Sequence, residues 1–487
     1  MNEQKPIQSR SELRALKKKK SGSKWLFRIG IPLFLIMITL TAVFFVKQFF
    51  EQQALKEQIA SEKQALIEHT KKLQAQSGFE TTEKIHEKRN VTEIIYQPKE
   101  DKDFPIPDFN EKSKKMIDKI ADKQKSKHPT VLIAGLGTES FTEQLGAYHI
   151  KVDTYQWQID KNNFDKVATE KGEPMYMNQK TGKPVTSKEL IVEEADLLGI
   201  HQVIQQQILD EAKEPKKIID AVLNLPIINW ESEMTYTPDE LKITLPKNDT
   251  GVSKITLPYD KIRPFVQNDL VNPAVFKEEA PALDPNKKYI ALTFDDGPSA
   301  ATTPQVLKVL AEKEVKATFF LLGQNAIEYP KIVNQIQKDG HELASHSYSH
   351  PQLTALTAEQ VVKEVRDTDK AIFNATGILP RTFRPPYGAV NSDVAEQIGK
   401  PVIQWNIDSL DWQTKNTNSV IQIVNQTSHP GGIVLMHDIQ EATAHALATV
   451  IDNLKKHGYE FVTIEEMFQC SERPLYQYFS LNDARKV

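Results

Sequence analysis

From Tyr289 onward the chain repeats one pattern, a short run of β-forming residues, a turn, and then a stretch with helical spacing of its apolar positions. The short runs fall at 289–294, 317–322, 342–344, 402–407 and 433–436, with helical stretches near 304–314, 327–338, 357–376 and 442–457. Strands linked by helices return in the same direction, so repeated units of this kind build a parallel sheet with helices packed on it. The pattern therefore predicts an α/β domain over residues 287–468 whose sheet is closed or nearly closed. No other feature restricts the fold as much.

Chemistry-bearing residues fall at the ends of these runs. Thr293-Phe-Asp-Asp-Gly-Pro298 puts two acids where a strand gives way to a Gly-Pro turn, so Asp295 and Asp296 point in different directions. One can then bind a metal while the other stays free. His346-Ser-Tyr-Ser-His350 supplies two imidazoles, which share a face if the segment is helical or converge if it is a tight loop. Three ligands, Asp296, His346 and His350, leave coordination positions open, as a catalytic rather than a structural zinc requires; the same set also suits cobalt or another divalent ion. Further on come Arg384-Pro-Pro-Tyr-Gly388, Asp408-Ser-Leu-Asp411-Trp412 and Leu435-Met-His437. Taken singly, each has a plain structural reading: a turn, a surface ion pair, a core aromatic, a core histidine. Their succession at strand ends is what argues for a site.

In this order the five segments closely resemble those of the polysaccharide deacetylases of the NodB-homology, carbohydrate-esterase-4 type. The likeness is greatest to the membrane-anchored enzymes of Gram-positive bacteria that deacetylate peptidoglycan N-acetylglucosamine. The resemblance implies an incomplete (β/α) barrel with its chemistry at the C-terminal ends of the strands. It further implies Asp295 as general base, Arg384 as the partner that holds it, and His437 as general acid, oriented and kept basic by Asp411. By the same resemblance the Tyr387 backbone N–H helps stabilise an oxyanion, while Trp412 and Leu435 form an apolar slot for the acetyl methyl group. A deacetylase of another polymer, such as poly-N-acetylglucosamine, chitooligosaccharide or acetylxylan, needs the same residues. A membrane-tethered carbohydrate-binding protein would instead be expected to carry a broken set.

Before the barrel the chain reads as several parts. Residues 1–28 hold Arg10, Arg14, Lys17, Lys18, Lys19, Lys20, Lys24 and Arg28, and 29–46 are apolar apart from Gly30, Pro32, Thr39 and Thr41. That run is long enough to cross a bilayer, and its basic flank predicts a cytoplasmic N-terminus with everything after Lys47 outside, facing the cell wall. A cleaved signal peptide is the competing reading, weakened by the long basic lead and the absence of a small-residue cleavage site. Residues 47–76 predict a helical stalk, 77–127 a polar linker, 128–271 an α+β extracytoplasmic domain of spacing, wall-binding or regulatory role, 272–286 a second linker and 469–487 a C-terminal tail. Within 128–271, segments such as 177–185 and 236–243 resemble an extracytoplasmic domain found in anti-sigma-factor-like and deacetylase proteins.

With 61 basic and 65 acidic residues in 487, the net charge of −4 gives no reason to expect nucleic acid as a partner. The single cysteine, Cys470, has no partner for an internal disulfide. The expected partners are thus a cell-wall glycan and the membrane, with self-association left open.

Overall fold

A computed structural model describes residues 10–76, 79–88, 90–99, 105–123, 128–277 and 282–487. Part of the expected N-terminal tail (1–9) and the centre of the second linker (278–281) lie outside these residues. The chain packs as two compact units, one comprising residues up to 139 together with 148–175, the other 140–147 together with 176–487.

The first unit begins with one helix, Arg10–Ala75, which runs through Pro32. Its Pro32–Ala75 portion contains an 18-residue stretch of mean hydropathy 2.1, none of it buried, so this helix is long and apolar enough to cross a membrane. The last turns of the same helix are instead part of a folded core. Ile67 is buried with Ile94, Tyr96, Val131 and Ile133, and Thr70 Oγ1 lies 2.8 Å from Tyr96 Oη.

The described residues of the segment 77–127, expected to be a linker, fold. Strands Thr81–Lys88 and Val91–Pro98 pair as an antiparallel hairpin, and the second of them runs parallel to Thr130–Ser140. Helix Phe109–Lys123 then covers the sheet with Phe109, Ile117 and Ile120, packed on Ile95, Leu132, Ala134 and Val152. The polar composition that looks like a linker belongs to an edge strand exposed along almost its whole length and to the outer face of a surface helix. The short run Ile94-Ile95-Tyr96 carries the burial.

The second unit contains the predicted parallel sheet. Lys288–Asp295 lies at its centre, between Thr318–Leu321 and Gly432–His437, both parallel to it. Glu342–Ser345 extends the sheet on one side. Single bridges from Ser345 to Phe383 and from Phe383 to Val402 carry the curl onward. The outer faces of these strands and the helices around them share one core, in which Phe294, Phe319, Val434 and Met436 meet Val306, Val333, Ile372 and Leu447.

Two boundaries differ from those read in the sequence. Residues 469–487 are not a tail: Tyr476–Ser480 joins the barrel sheet beside Val402–Ile403, and Asp483–Lys486 folds back on it. Residues 128–271 do not form one domain either, since the two units part within them. Residues 176–277 pack directly on the barrel. Their core, built by helix Glu194–Glu211 and the strands 240–244 and 254–258, includes Phe373 and Leu379 from the barrel side. Polar contacts reinforce it, with Lys370 Nζ 2.6 Å from Asp220 Oδ1 and Arg473 Nε 3.2 Å from Asp196 Oδ1. Hydrophobic periodicity shows which face of an element is buried; it says nothing of which distant element covers that face.

Candidate metal and catalytic centre

Strand Lys288–Asp295 ends at Asp295, in parallel register with Phe320 on one side and His437 on the other. Register alone therefore brings the presumed base and acid to the same end of the sheet. The next residue, Asp296, has φ of 72°, so the chain turns sharply; the two carboxylates, expected to point in different directions, nevertheless both approach His346 Nε2, Asp295 Oδ2 at 3.7 Å and Asp296 Oδ1 at 3.6 Å.

Asp295 is buried, and its Oδ1 accepts a 2.7 Å hydrogen bond from Arg384 Nη1. Arg384 is fully enclosed. Its other donors go to Thr293 Oγ1 at 2.8 Å and to the carbonyls of Ile403 and Gln404 at 3.1 Å each, while its guanidinium lies 4.0 Å from the centre of the Phe320 ring. The pair holds Asp295 in one orientation. Electrostatically it is a balance: burial pushes the Asp295 carboxyl up, and the Arg384 charge and hydrogen bond pull it back. The Arg384 charge thus favours the ionised carboxylate against the cost of burying it.

His346 and His350 lie in a loop after Glu342–Ser345, not on a helix. Ser347 and His350 both adopt positive φ, 70° and 62°, and the loop is tied in place by side chains. Glu364, on helix Ala358–Thr376, accepts from the backbone N–H of Tyr348 at 2.7 Å, that of Ser349 at 2.8 Å and the Ser349 hydroxyl at 2.9 Å. His346 Nδ1 donates to the Arg384 carbonyl at 2.6 Å, which leaves Nε2 free to act as a ligand. Burial holds the His346 imidazole far down, at about 3, so it is neutral.

The two Nε2 atoms and Asp296 Oδ1 converge. Oδ1 is 3.6 Å from each imidazole nitrogen, and all three atoms lie within 4.8 Å of one another. Asp296 Oδ1 is buried with no hydrogen-bond partner. A buried carboxylate oxygen without a hydrogen-bond partner, facing two imidazole nitrogens, is a costly arrangement on its own and a fitting one around a divalent cation.

Beside Asp295, on the neighbouring strand, His437 forms a second pair with Asp411. Asp411 is fully buried at the start of the short helix Asp411–Thr414, just after Leu410 in the left-handed region. Its Oδ1 is 2.7 Å from His437 Nδ1 and accepts from the Trp412 N–H, also at 2.7 Å; its Oδ2 accepts from the His437 N–H at 2.7 Å and from the Thr443 hydroxyl. Burial pulls the His437 imidazole down, but the hydrogen bond and charge of Asp411 outweigh it and lift the group to about 9.

Tyr387 has φ of 61° and an exposed side chain whose ring stands edge-on to His350, with centroids 4.7 Å apart. Leu435 is buried and lies two residues before His437 on the same face of its strand, whereas Trp412 is 49% exposed. His341, given no role from sequence, accepts a hydrogen bond from the Ala317 N–H and is a core histidine. Glu364, Thr303 and Asp438 also bear on the site, and sequence reading passed over all three. Only Asp438, next to His437, had a local signal.

Residues 282–403 match the polysaccharide deacetylase family, and residues 61–275 match the N-terminal domain of peptidoglycan GlcNAc deacetylases. The peptidoglycan-N-acetylglucosamine deacetylase PgdA of Listeria monocytogenes is 42% identical over 265 residues, which cover 54% of this chain and 56% of that protein. The chain thus matches about half the length of that relative. A peptidoglycan-N-acetylglucosamine deacetylase of Bacillus cereus is 36% identical, covering 38% of this chain and 70% of that one. A chitooligosaccharide deacetylase of Rhizobium leguminosarum is 34% identical, covering 39% and 94%. With the motif residues gathered in one centre and relatives matched over most of their length, the chain belongs to the polysaccharide deacetylase family.

Proposed function

We propose that this chain is a metal-dependent amidohydrolase that removes acetyl groups from N-acetylglucosamine residues of peptidoglycan, leaving a free amine and acetate. The observation that carries the reading is the gathering, at one end of the sheet, of two buried pairs, Asp295 with Arg384 and Asp411 with His437, together with the Asp296, His346, His350 cluster. Such a centre holds a base and an acid on either side of one reacting carbon. A divalent ion bound there, zinc by preference, supplies Lewis acidity that makes a water more acidic and an amide carbonyl more electrophilic.

The remaining roles belong to the protein. Asp295, held by Arg384, takes the proton of the attacking water. His437, protonated because Asp411 stands behind it, gives a proton to the departing amine. The Tyr387 N–H adds a donor for the negative oxygen that develops during attack, since Pro385 and Pro386 offer none. Leu435 and Trp412 bound an apolar space suited to a methyl group, which limits acyl length.

The substrate assignment is supported by the match of residues 61–275 to the peptidoglycan GlcNAc deacetylase N-terminal domain and by the names of the relatives. The apolar helix and its basic flank support a single-pass anchor with the N-terminus in the cytoplasm and the barrel against the wall. The test is to incubate the protein with purified wall glycan, chitooligosaccharide and acetylated xylan, measuring released acetate and fragment masses. Preferential loss of acetyl from wall glycan N-acetylglucosamine is expected; preference for either other polymer would replace the substrate, and release from none would remove the reading.

A further inference from the structure

Directly after His437 stands Asp438, a fully buried carboxyl outside all the roles above. Its Oδ2 accepts from the hydroxyl of Thr303, which is equally buried. That hydroxyl in turn accepts a 2.7 Å hydrogen bond from the Ser299 N–H, and the Thr303 N–H donates back to the Ser299 carbonyl at 3.1 Å. Ser299 ends the turn that begins at Asp296. On the other side, the Asp438 carboxyl lies flat against Gly297: a Cβ built there would fall 2.3 Å from each of its oxygens. Asp438 Oδ1 has no hydrogen-bond partner, so van der Waals contact with the Gly297 backbone is what that edge does.

The turn needs such a restraint. Asp296 is a non-glycine residue at φ 72°, an unfavourable conformation that persists only where the surroundings over-determine it. Two other clamps are visible: Asn325 Nδ2 donates to the Asp296 carbonyl at 2.7 Å, and the Leu322 N–H donates to the Gly297 carbonyl at 3.0 Å. Both grip carbonyls from the side of the strand Thr318–Leu321. Asp438 and Thr303 brace the turn from the side of His437.

We infer that Asp438 is a positioning residue: through Thr303 and through contact with Gly297, it holds the Asp296 turn in the conformation that presents Oδ1 to His346 and His350. It also joins the strand of the presumed acid to the loop of the presumed metal ligand, so one segment sets both. The inference rests on the reading of Asp296, His346 and His350 as metal ligands.

The test uses the full chain in detergent and reads Zn²⁺ affinity by competition with a chromophoric chelator, without any glycan. Asp438→Ala is expected to weaken Zn²⁺ binding about 10–100-fold, the usual effect of losing a partner that orients a ligand, with Thr303→Val moving the same way. Asp438→Asn keeps an acceptor for Thr303 and nearly the same volume, and should bind Zn²⁺ almost as the parent does. Gly297→Ala should weaken binding in the parent and add little in the Asp438→Ala background, because the oxygens it strikes are gone. Parent-like Zn²⁺ affinity in both Asp438→Ala and Thr303→Val, with only the unfolding temperature lowered, overturns the inference. If Asp438→Ala does not fold, Thr303→Val decides alone. Because no glycan is present, weakened Zn²⁺ binding in a protein that deacetylates nothing leaves the inference standing while the proposed function falls, and the reverse result does the opposite.

Discussion

Replacing Asp411 with Asn tests the mechanism through its pH dependence. In the parent, His437 titrates at about 9 because the Asp411 carboxylate outweighs the burial around the ring. An Asn side chain removes that charge while burial remains, so the imidazole should fall to or below the ordinary value of about 6.5. The sign follows directly. A general acid works only while protonated, so activity is present below its pKa and lost as pH rises through it; the substitution should move the basic limb down by more than two pH units. At pH 8 the protonated fraction drops from about 90% to about 3%, roughly 30-fold, whereas at pH 6 it changes by less than about 1.5-fold. Asn also faces four donors with one acceptor oxygen, since Asp411 accepts from two N–H groups, the imidazole and the Thr443 hydroxyl. That damage lowers activity at every pH and costs about 1–3 kcal/mol of stability. The assay is acetate release from chitooligosaccharide between pH 5.5 and 9, with metal content checked at each point and the His437 ring followed by NMR. A parent-to-variant activity ratio that stays constant with pH would refute the reasoning, because a purely structural loss has no reason to grow tenfold or more between pH 6 and 8.

Three further outcomes are expected. His350→Ala should lose both stoichiometric metal and turnover, read by elemental analysis and acetate release; retention of either breaks the ligand assignment. His437→Ala should be nearly inactive on N-acetylglucosamine oligomers yet measurably active on an aryl acetate, whose leaving group needs little proton assistance, while Asp295→Asn keeps its metal and is inactive on both; equal loss on the two substrates for the His437 variant would reassign that residue to oxyanion stabilisation. Arg384→Met should destabilise the second unit by about 3–5 kcal/mol in urea unfolding, because it strands the buried Asp295 carboxyl without its partner, and a cost below about 1 kcal/mol would show that the pair is not the restraint described.

Sequence alone determined a good deal of this protein. The alternation after Tyr289 specified a parallel α/β sheet because apolar period and run length report local burial, and the apolar stretch at 29–46 marked a helix long and apolar enough to cross a membrane. The Asp-Asp-Gly-Pro turn and the spaced histidines, in succession with the later motifs at strand ends, pointed to a candidate metal site. What only the tertiary structure decided is everything that depends on chain-distant contact. Asp411 and His437 are far apart in sequence and meet because two strand ends lie side by side. The histidines converge from a loop braced by Glu364, which no local pattern announces. Residues 77–127 look like a linker because an edge hairpin and a half-covered helix carry polar residues on their free faces, and 176–277 lack a separate core because Phe373 and Leu379 of the barrel complete it. Periodicity encodes that a face is hidden; the partner that hides it, and the charge a buried group keeps there, arise only when the folded chain brings the two together.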